Sequence, residues 1–455
     1  MIHEERIQPL NGHEPVDGDY VLYWMQASHR AEHNDALDYA IDRANELSVP
    51  VVCGFGLTDD YPQANVRHYA FMLEGLAETA RTLADRGVRL VVRHGSPPQV
   101  ACELAGAAAM VVCDRGYLRH QEAWRQRVAE LDRRVVQVET DAVVPVEVLS
   151  DHEEYAARTL RPKHRKLWDE YLRLNNSPPL AKRDSLAIDL GGLDMGDPDA
   201  RLAELDVDRD VPRSVQYRGG LAEARRRLGD FVAQRLKDYD ALRSDPSLDI
   251  ESGMSPYLHF GQISPIEVAK TVAADARHGR DNIDSYLEEL LIRRELAFNV
   301  VRFNADYDRY ICLPDWARAT LKKHRDDPRE HVYTKAQLEA ADTHDPYWNA
   351  AMREMVLTGK MHNYMRMYWG KKVLEWTTVP QTAYRWLLEL NNRYFIDGRD
   401  PASYGNVAWI FGKHDRPWRE RDVFGTVRYM SAGGLERKFD IDAYVRQIDQ
   451  LDSER

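Results

Sequence analysis

With 455 residues, 44% hydrophobic and 30% charged, the chain has length enough for two or three domains and the composition of a globular protein. No apolar run nears the roughly 20 residues that span a bilayer, and the polar, acidic opening MIHEERIQPLNGHEP is no secretory signal. A net charge of −12 argues at first against a nucleic-acid partner, yet it is uneven: residues 1–150 carry 14 Arg and no Lys against 23 acidic residues. The rest is near neutral, with basic runs at 161–166, 225–227, 322–325, 371–372 and 416–421. These read either as solvated faces or as a phosphate-tracking patch, since binding follows the local field.

In chain order, strands are predicted at 20–24, 49–55, 88–93, 110–113 and 135–138, with amphipathic helices at 34–47, 66–86, 97–104 and 121–131 between them. Continuous apolar strands alternating with helices predict a parallel five-stranded, Rossmann-like sheet, an α/β domain over 1–150. Ligands of such sheets sit beyond the carboxyl ends of the strands. The first strand runs into YWMQASHRAEHNDAL and not into GxGxxG or GxxxxGK[ST], which argues against an ordinary dinucleotide or ATP site. Cys53, Cys102, Cys113 and Cys312 form no CxxC pair, so free thiols are expected, no metal site is, and the compartment reads as cytoplasmic.

Residues 151–215, with paired prolines, paired glycines and the acidic stretch DMGDPDARLAELDVDRDVP, read as an interdomain linker with a few short helices. From 216 to 455 nearly every segment has a helical period, at 222–236, 265–276, 283–303, 335–340, 350–375 and 380–390, so the second domain is predicted to be all-α.

Four blocks in the helical half could carry chemistry. SGMSPYLHFGQISP is a Gly/Ser loop whose amides and hydroxyls suit a diphosphate. YLEELLIRRELAFNV sets Glu289 and Arg293 at i,i+4, a surface ion pair or part of a pocket wall. LNNRYFIDGRDP is a polar turn able to hydrogen-bond a planar heterocycle, and WIFGKHDRPW sets two indoles around His414, Asp415 and Arg416. Between them Trp348, Trp369 and Trp376 form a spaced row of indoles. Their spacing alone favours core packing over a redox relay and does not decide between them, with Trp369 and Trp376 on one face of a helix.

Taken in order, YWMQASHRAEHNDALDYA, RHYAFMLEGL, SPYLHFGQIS, THDPYWNA, TGKMHNYMRMYWGKKVLEW, LNNRYFIDGRDP, GTVRYMS and RKFD resemble the class II cyclobutane pyrimidine dimer photolyases of the photolyase/cryptochrome family, over essentially the whole chain. The resemblance implies FAD, active as FADH⁻, held by Tyr239, Ser252, Gly253, Met254, Ser255, Leu258 and Gly398. It implies an Arg366–Asp397 ion pair beside the flavin ring, Asn391 facing N5, and a relay running from Trp369 through Trp348 to Trp376. Glu289 matches the acidic contact to the thymine carbonyls, best made as the neutral acid, and Arg293, Met367, Trp409 and Arg416 match the lesion pocket and its DNA rim. Phe298 stands where the family usually has aspartate, and the WIFGKHDRPW loop is about one residue short of its counterparts.

The implied activity is light-driven repair: a pyrimidine dimer flips from UV-damaged duplex, and excited reduced FAD lends the electron that splits the cyclobutane ring. That makes the chain a deoxyribodipyrimidine photolyase, a carbon–carbon lyase, expected as a monomer with no membrane partner. The N-terminal half resembles members that carry an 8-hydroxy-5-deazaflavin antenna. The rival readings are a cryptochrome-like blue-light photoreceptor without repair and a flavin-free DNA-binding protein.

Overall fold

The β-branched runs of the first half pair side by side because only a fully covered parallel sheet can bury both faces of such strands. In the computed structural model, residues 2–184 and 186–454 are described. Strands β1 (Ile7–Pro9), β2 (Tyr20–Trp24), β3 (Val51–Leu57), β4 (Arg89–His94), β5 (Ala108–Asp114) and β6 (Val135–Val138) form one sheet in the order β1-β6-β5-β2-β3-β4. Five strands are parallel, as expected; the sixth, β1, adds to β6 antiparallel, pairing Ile7 with Val138.

Alternate residues of β2 point to opposite layers. Val21 and Tyr23 pack under α1 (Asp35–Leu47) and α2 (Val66–Asp85). Tyr20, Leu22 and Trp24 pack under α3 (Pro97–Ala105) and α4 (Arg119–Ala129).

A short α5 (Val146–Leu149) precedes α6 (Ala157–Tyr171), a 15-residue helix inside the stretch read as a linker. Beyond it the chain runs along the edge of β4: Arg89 Nε bonds Asp184 at 2.7 Å, and Leu193 N bonds Val92 O at 2.8 Å. An exposed strand edge invites pairing with other chains, and this segment covers it.

Helices dominate the rest: α7 (Pro198–Ala203), α8 (Leu221–Asp230), α9 (Tyr239–Leu242), α10 (Ser255–His259), α11 (Pro265–Ala273), α12 (Arg280–Leu287) and α13 (Arg294–Phe303). There follow α14 (Asp315–Lys323), α15 (Lys335–Glu339), α16 (Pro346–Thr358), α17 (Asn363–Trp376), α18 (Pro380–Tyr394), α19 (Pro401–Ile410), α20 (Ala432–Glu436) and α21 (Ile441–Ser453).

Two expected helices differ. The single helix at 350–375 is two, because Gly359 at φ +75° closes α16 in the left-handed conformation before α17 starts. The helix at 283–303 carries a π-helical segment, Glu288–Arg293, between α12 and α13.

Two buried arginines join the sheet domain to the helices. Arg30 donates to Asp141 Oδ1, Thr140 O and Gly261 O at 2.8 to 2.9 Å. Arg67 on α2 donates to the carbonyls of Pro212, Met355 and Tyr394 at 2.6 to 3.0 Å, and to that of Val356. Among the described residues no helix is long and apolar enough to cross a membrane.

Candidate active site

The motif THDPYWNA positions the first indole by capping. Asp345 accepts the backbone N–H of Tyr347 and of Trp348, each at 3.0 Å, and Pro346 occupies the first helical position, where no N–H is needed. The other carboxylate oxygen of Asp345 takes the Tyr368 hydroxyl, which fixes α16 to α17.

Trp348, wholly buried, links the other two tryptophans, one through its backbone and one through its ring. Its Nε1 donates to the carbonyl of Trp369 at 3.0 Å, and its ring meets Trp376 edge-on at 5.5 Å. Trp376 is itself only 2% exposed. Tyr333, half-buried, lies against it at 5.2 Å, and Tyr333 in turn bonds the exposed His344 at 2.7 Å. Trp369 faces inward, 6.3 Å from the Phe395 ring, and its Nε1 is buried without a partner among the described residues.

Around Phe395 the LNNRYFIDGRDP turn gathers polar groups. Arg366, on α17, bonds both oxygens of Asp397 at 3.0 and 3.1 Å and lies 3.7 Å over the Phe395 ring. Asn391 Nδ2 donates to Asn392 Oδ1 at 3.0 Å, and the same oxygen takes the Arg399 N–H. Gly398 closes the turn so tightly that a Cβ there would lie 2.8 Å from the Asn391 carbonyl.

The Gly/Ser loop forms a second cluster. Gly253 sits at φ +69°, where glycine is strongly favoured, and precedes α10 with Met254 and Ser255. Tyr286 Oη donates to Ser252 Oγ at 3.0 Å, and burial pushes the Tyr286 phenol up to about 12, so it remains a donor. The ring of Tyr239 stands 5.4 Å from that of Tyr286, with Arg243 5.8 Å from Tyr239.

Arg243 is the residue that sequence reasoning missed: its Nη1 pairs with Glu289 Oε1 at 2.9 Å. The expected Glu289–Arg293 pair does not form. The π-helical turn carries the two side chains apart, and Arg293 instead faces Glu288 at 3.5 Å. The available signal was Arg243 lying four residues beyond Tyr239.

On α19, Trp409 is half-buried over the amine of Lys371, 5.2 Å away, whose burial draws it down to about 7. Met367 is half-buried on α17, next to Arg366. Gly370 brings α17 against α19, since a Cβ there would lie 2.9 Å from Ile410. Arg416 is exposed, 5.3 Å from the Trp418 ring. Asp415 binds Arg428 at 3.0 Å and Trp418 Nε1 at 3.2 Å, inside the loop.

A separate cleft, open to solvent at its mouth, lies beyond the carboxyl ends of β2, β3 and β5, where the strand order reverses. Gln26, Phe55, Thr58 and Tyr117 line it from the sheet side; Leu258, Phe260, Arg294, Phe298 and Arg399 line it from the helices. Leu258 is thus in the wall of this cleft and at the end of the Gly/Ser loop. His29 lines it with neither ring nitrogen hydrogen-bonded among the described residues, and burial lowers it to about 4, which keeps it neutral. Such a cleft, apolar with a few polar groups, suits a planar ligand.

Fit to a flavin can be judged from the donor set. Hydroxyls of Ser252 and Ser255 beside a left-handed glycine suit a diphosphate, and Arg366, Asp397 and Asn391 offer both donors and acceptors to a heterocycle. The unpartnered Trp369 N–H beside them also fits a missing acceptor.

A family model for DNA photolyase matches residues 21–182. A deoxyribodipyrimidine photo-lyase of Methanothermobacter thermautotrophicus is 50% identical over 455 residues, covering 98% of this chain and 99% of that one. Two solved structures share the fold at 19% identity. A class III photolyase from Agrobacterium tumefaciens has a TM-score of 0.75 over 95% of this chain and 87% of that one. A Synechocystis cryptochrome has a TM-score of 0.74 over 96% and 89%. Half-identity sustained from end to end, on top of the shared fold, places the chain in the DNA photolyase family, to which it belongs.

Proposed function

We propose that this protein is a light-driven deoxyribodipyrimidine photo-lyase of class II that splits cyclobutane pyrimidine dimers in UV-damaged DNA. The observation that carries the reading is the linked row of tryptophans, Trp376 ring against Trp348 ring and Trp348 Nε1 on the Trp369 backbone carbonyl, with the Arg366–Asp397 pair beyond Trp369 and Glu289 on Arg243 beside Tyr239. Class II is favoured by the ordered motifs from THDPYWNA to LNNRYFIDGRDP.

Reduced FAD, once bound, supplies a light-activated one-electron donor to this site. Tyr239, Ser252, Gly253, Met254, Ser255 and Leu258 hold its phosphates and ribityl chain, while Arg366, Asn391, Asp397 and Gly398 orient the ring. Trp376 (buried beneath Tyr333), Trp348 and Trp369 pass electrons inward in that order. In its acid form Glu289 donates a hydrogen bond to a carbonyl of the flipped dimer where charge develops, with Arg243 beside it. Met367 and Trp409 wall the pocket, with Arg293 and Arg416 on its DNA rim.

Flipping costs less at a dimer, which is already poorly stacked and paired, and this gives selectivity over intact duplex. The cleft between sheet and helices houses an 8-hydroxy-5-deazaflavin antenna, with His29 and Arg294 at its polar edge. The chain works as a cytoplasmic monomer, with an antenna domain over 1–150, a linker over 151–215 and a catalytic domain over 216–455.

The test is direct. Purified protein should be yellow, bleach its oxidised-flavin absorption under blue light with a thiol present, and restore the absorbance of a thymine-dimer oligonucleotide near 260 nm, an approximate wavelength. A colourless protein, or one that photoreduces without restoring the oligonucleotide, would return the chain to the DNA-binding or cryptochrome-like readings. Glu289, Met367 and Trp409 together favour repair.

A further inference from the structure

We infer that the solvent face of α6 is a second DNA-docking surface that grips the phosphate backbone of the duplex flanking the lesion; the inference rests on the repair reading above. The helix carries Arg158, Arg161, Lys163, Arg165 and Lys166 against Asp169 and Glu170, in a protein of net charge −12. Two of its cations are committed: Arg161 is bidentate to Glu288 at 2.6 and 2.8 Å, and Lys163 pairs with Glu154. Arg158, Arg165 and Lys166 extend into solvent, Arg158 and Arg165 on the same stripe of the helix as Arg161. All three are exposed, and none has a carboxylate partner among the described residues.

Arg158 and Arg165 are two helical turns apart, about 10 Å along one face, which matches about three phosphates at ~3.4 Å per step of a strand. On a solvated surface, unpaired like charges on one face repel one another and gain little in the free protein. A polyanion gives them a partner.

Placement ties this face to the lesion pocket. Glu288, held by Arg161, also faces Arg293 and precedes Glu289. At the start of the helix, exposed Tyr155 bonds the carbonyl of Asp415 at 3.4 Å and receives His414 on its own carbonyl at 2.8 Å, while Lys413 pairs with Glu153. Three contacts thus fix the approach to α6 against the Trp409–Trp418 loop. A duplex seated on Arg293 and Arg416 meets Arg158 next. The contact involves charge and helical spacing only, so it reads no sequence and adds affinity equally for any flanking bases.

The experiment compares the full-length protein with Arg158→Ala/Arg165→Ala/Lys166→Ala, binding in the dark a long duplex that carries one dimer and a dimer trinucleotide too short to reach α6. Across a salt series, the triple variant should show a log–log slope shallower by about 2–3 on the duplex, and near ~0.15 M salt should bind it about 100-fold more weakly, since each lost phosphate contact removes ~0.9 from the slope. Trinucleotide binding should be unchanged. Arg158→Lys/Arg165→Lys, which keeps the charge, should retain the wild-type slope. An unchanged slope in the triple variant overturns the assignment, as does equal weakening on the trinucleotide. Failure of the wild type to restore dimers under light would instead remove the repair reading, and the dark binding slopes would still decide the role of α6.

Discussion

Glu289 and Arg243 meet at 2.9 Å across a gap between two helices, and the pair is about one-third exposed on each side. A pair so open to water adds little to folding stability, within ~1 kcal/mol. Its importance lies in what the carboxyl meets once a dimer arrives. Glu289→Ala should therefore leave the melting temperature and flavin absorption nearly unchanged. Loss of a hydrogen bond to a charged species, roughly 1.5–3 kcal/mol, should lower the ring-splitting yield by about tenfold or more. Arg243→Ala should lower it less, by freeing the carboxyl to rotate. Repair yields per absorbed photon, with dimer binding measured alongside, check both; equal yields in wild type and Glu289→Ala would return Glu289 to the surface.

Trp369→Phe removes the inner indole while keeping an aromatic ring against Phe395. The oxidised protein should lose nearly all photoreduction yet retain its flavin. Chemically pre-reduced enzyme should repair at close to the wild-type rate. Photobleaching kinetics at fixed light intensity give the answer, and undiminished bleaching would leave the three indoles as packing.

Much of this architecture was legible from residue pattern, and the failures have physical causes. Continuous apolar runs placed the five parallel strands to within a few residues, because burial on both faces leaves no other reading. Strand β1 escaped because Ile7–Pro9 is three residues with no period of its own; its position comes from pairing with β6. The helix break at Gly359 was written in the glycine but masked by apolar residues that run through both flanking helices. The π-helical turn at Glu288–Arg293 has no signature in a 3.6-residue period, and it alone decides that Glu289 faces Arg243 and not Arg293. The cleft below β2 and β3 draws its lining from seven separate stretches of chain, and no local motif encodes that.

Gly398→Ala probes the flavin-facing turn through backbone contact. The new Cβ would meet the Asn391 carbonyl at 2.8 Å and Asn392 Cα at 2.9 Å, both backbone atoms that cannot swing aside. The turn must shift, at a cost of about 1–3 kcal/mol. Lower thermal stability should come with partial loss of flavin on gel filtration and slower photoreduction, because Asn391 moves with its carbonyl. Calorimetry and the flavin-to-protein absorbance ratio measure the two effects.

Glu354 on α16 provides a pH test. It accepts the Tyr444 hydroxyl at 2.6 Å and the His362 N–H at 3.2 Å, and burial raises it to about 7. A carboxyl raised on folding binds its proton more tightly in the native state, so stability falls as pH climbs from its unfolded value through the folded one. The loss between about pH 5 and 7 should be at most about 3 kcal/mol. Glu354→Gln, which keeps the hydrogen-bonding shape without the charge, should flatten that descent. Urea midpoints at pH 5, 6 and 7, approximate settings, compare the two proteins; a parallel descent in the variant would assign the loss elsewhere.

Arg30 and Arg67 make the sheet and the helices one melting unit. Arg67 serves carbonyls at the ends of α16 and α18, and Arg30 serves the carbonyl of Gly261. Pulling the two halves apart would break the Arg67 bonds to Met355, Val356 and Tyr394 and the Arg30 bond to Gly261, while Arg30 keeps Asp141 and Thr140, each lost bond costing about 0.5–1.5 kcal/mol. No intermediate with one half folded and the other open escapes that cost. Heating should therefore produce one calorimetric transition whose van't Hoff and measured enthalpies agree, although a chain of two such different layers would ordinarily be expected to unfold in two steps.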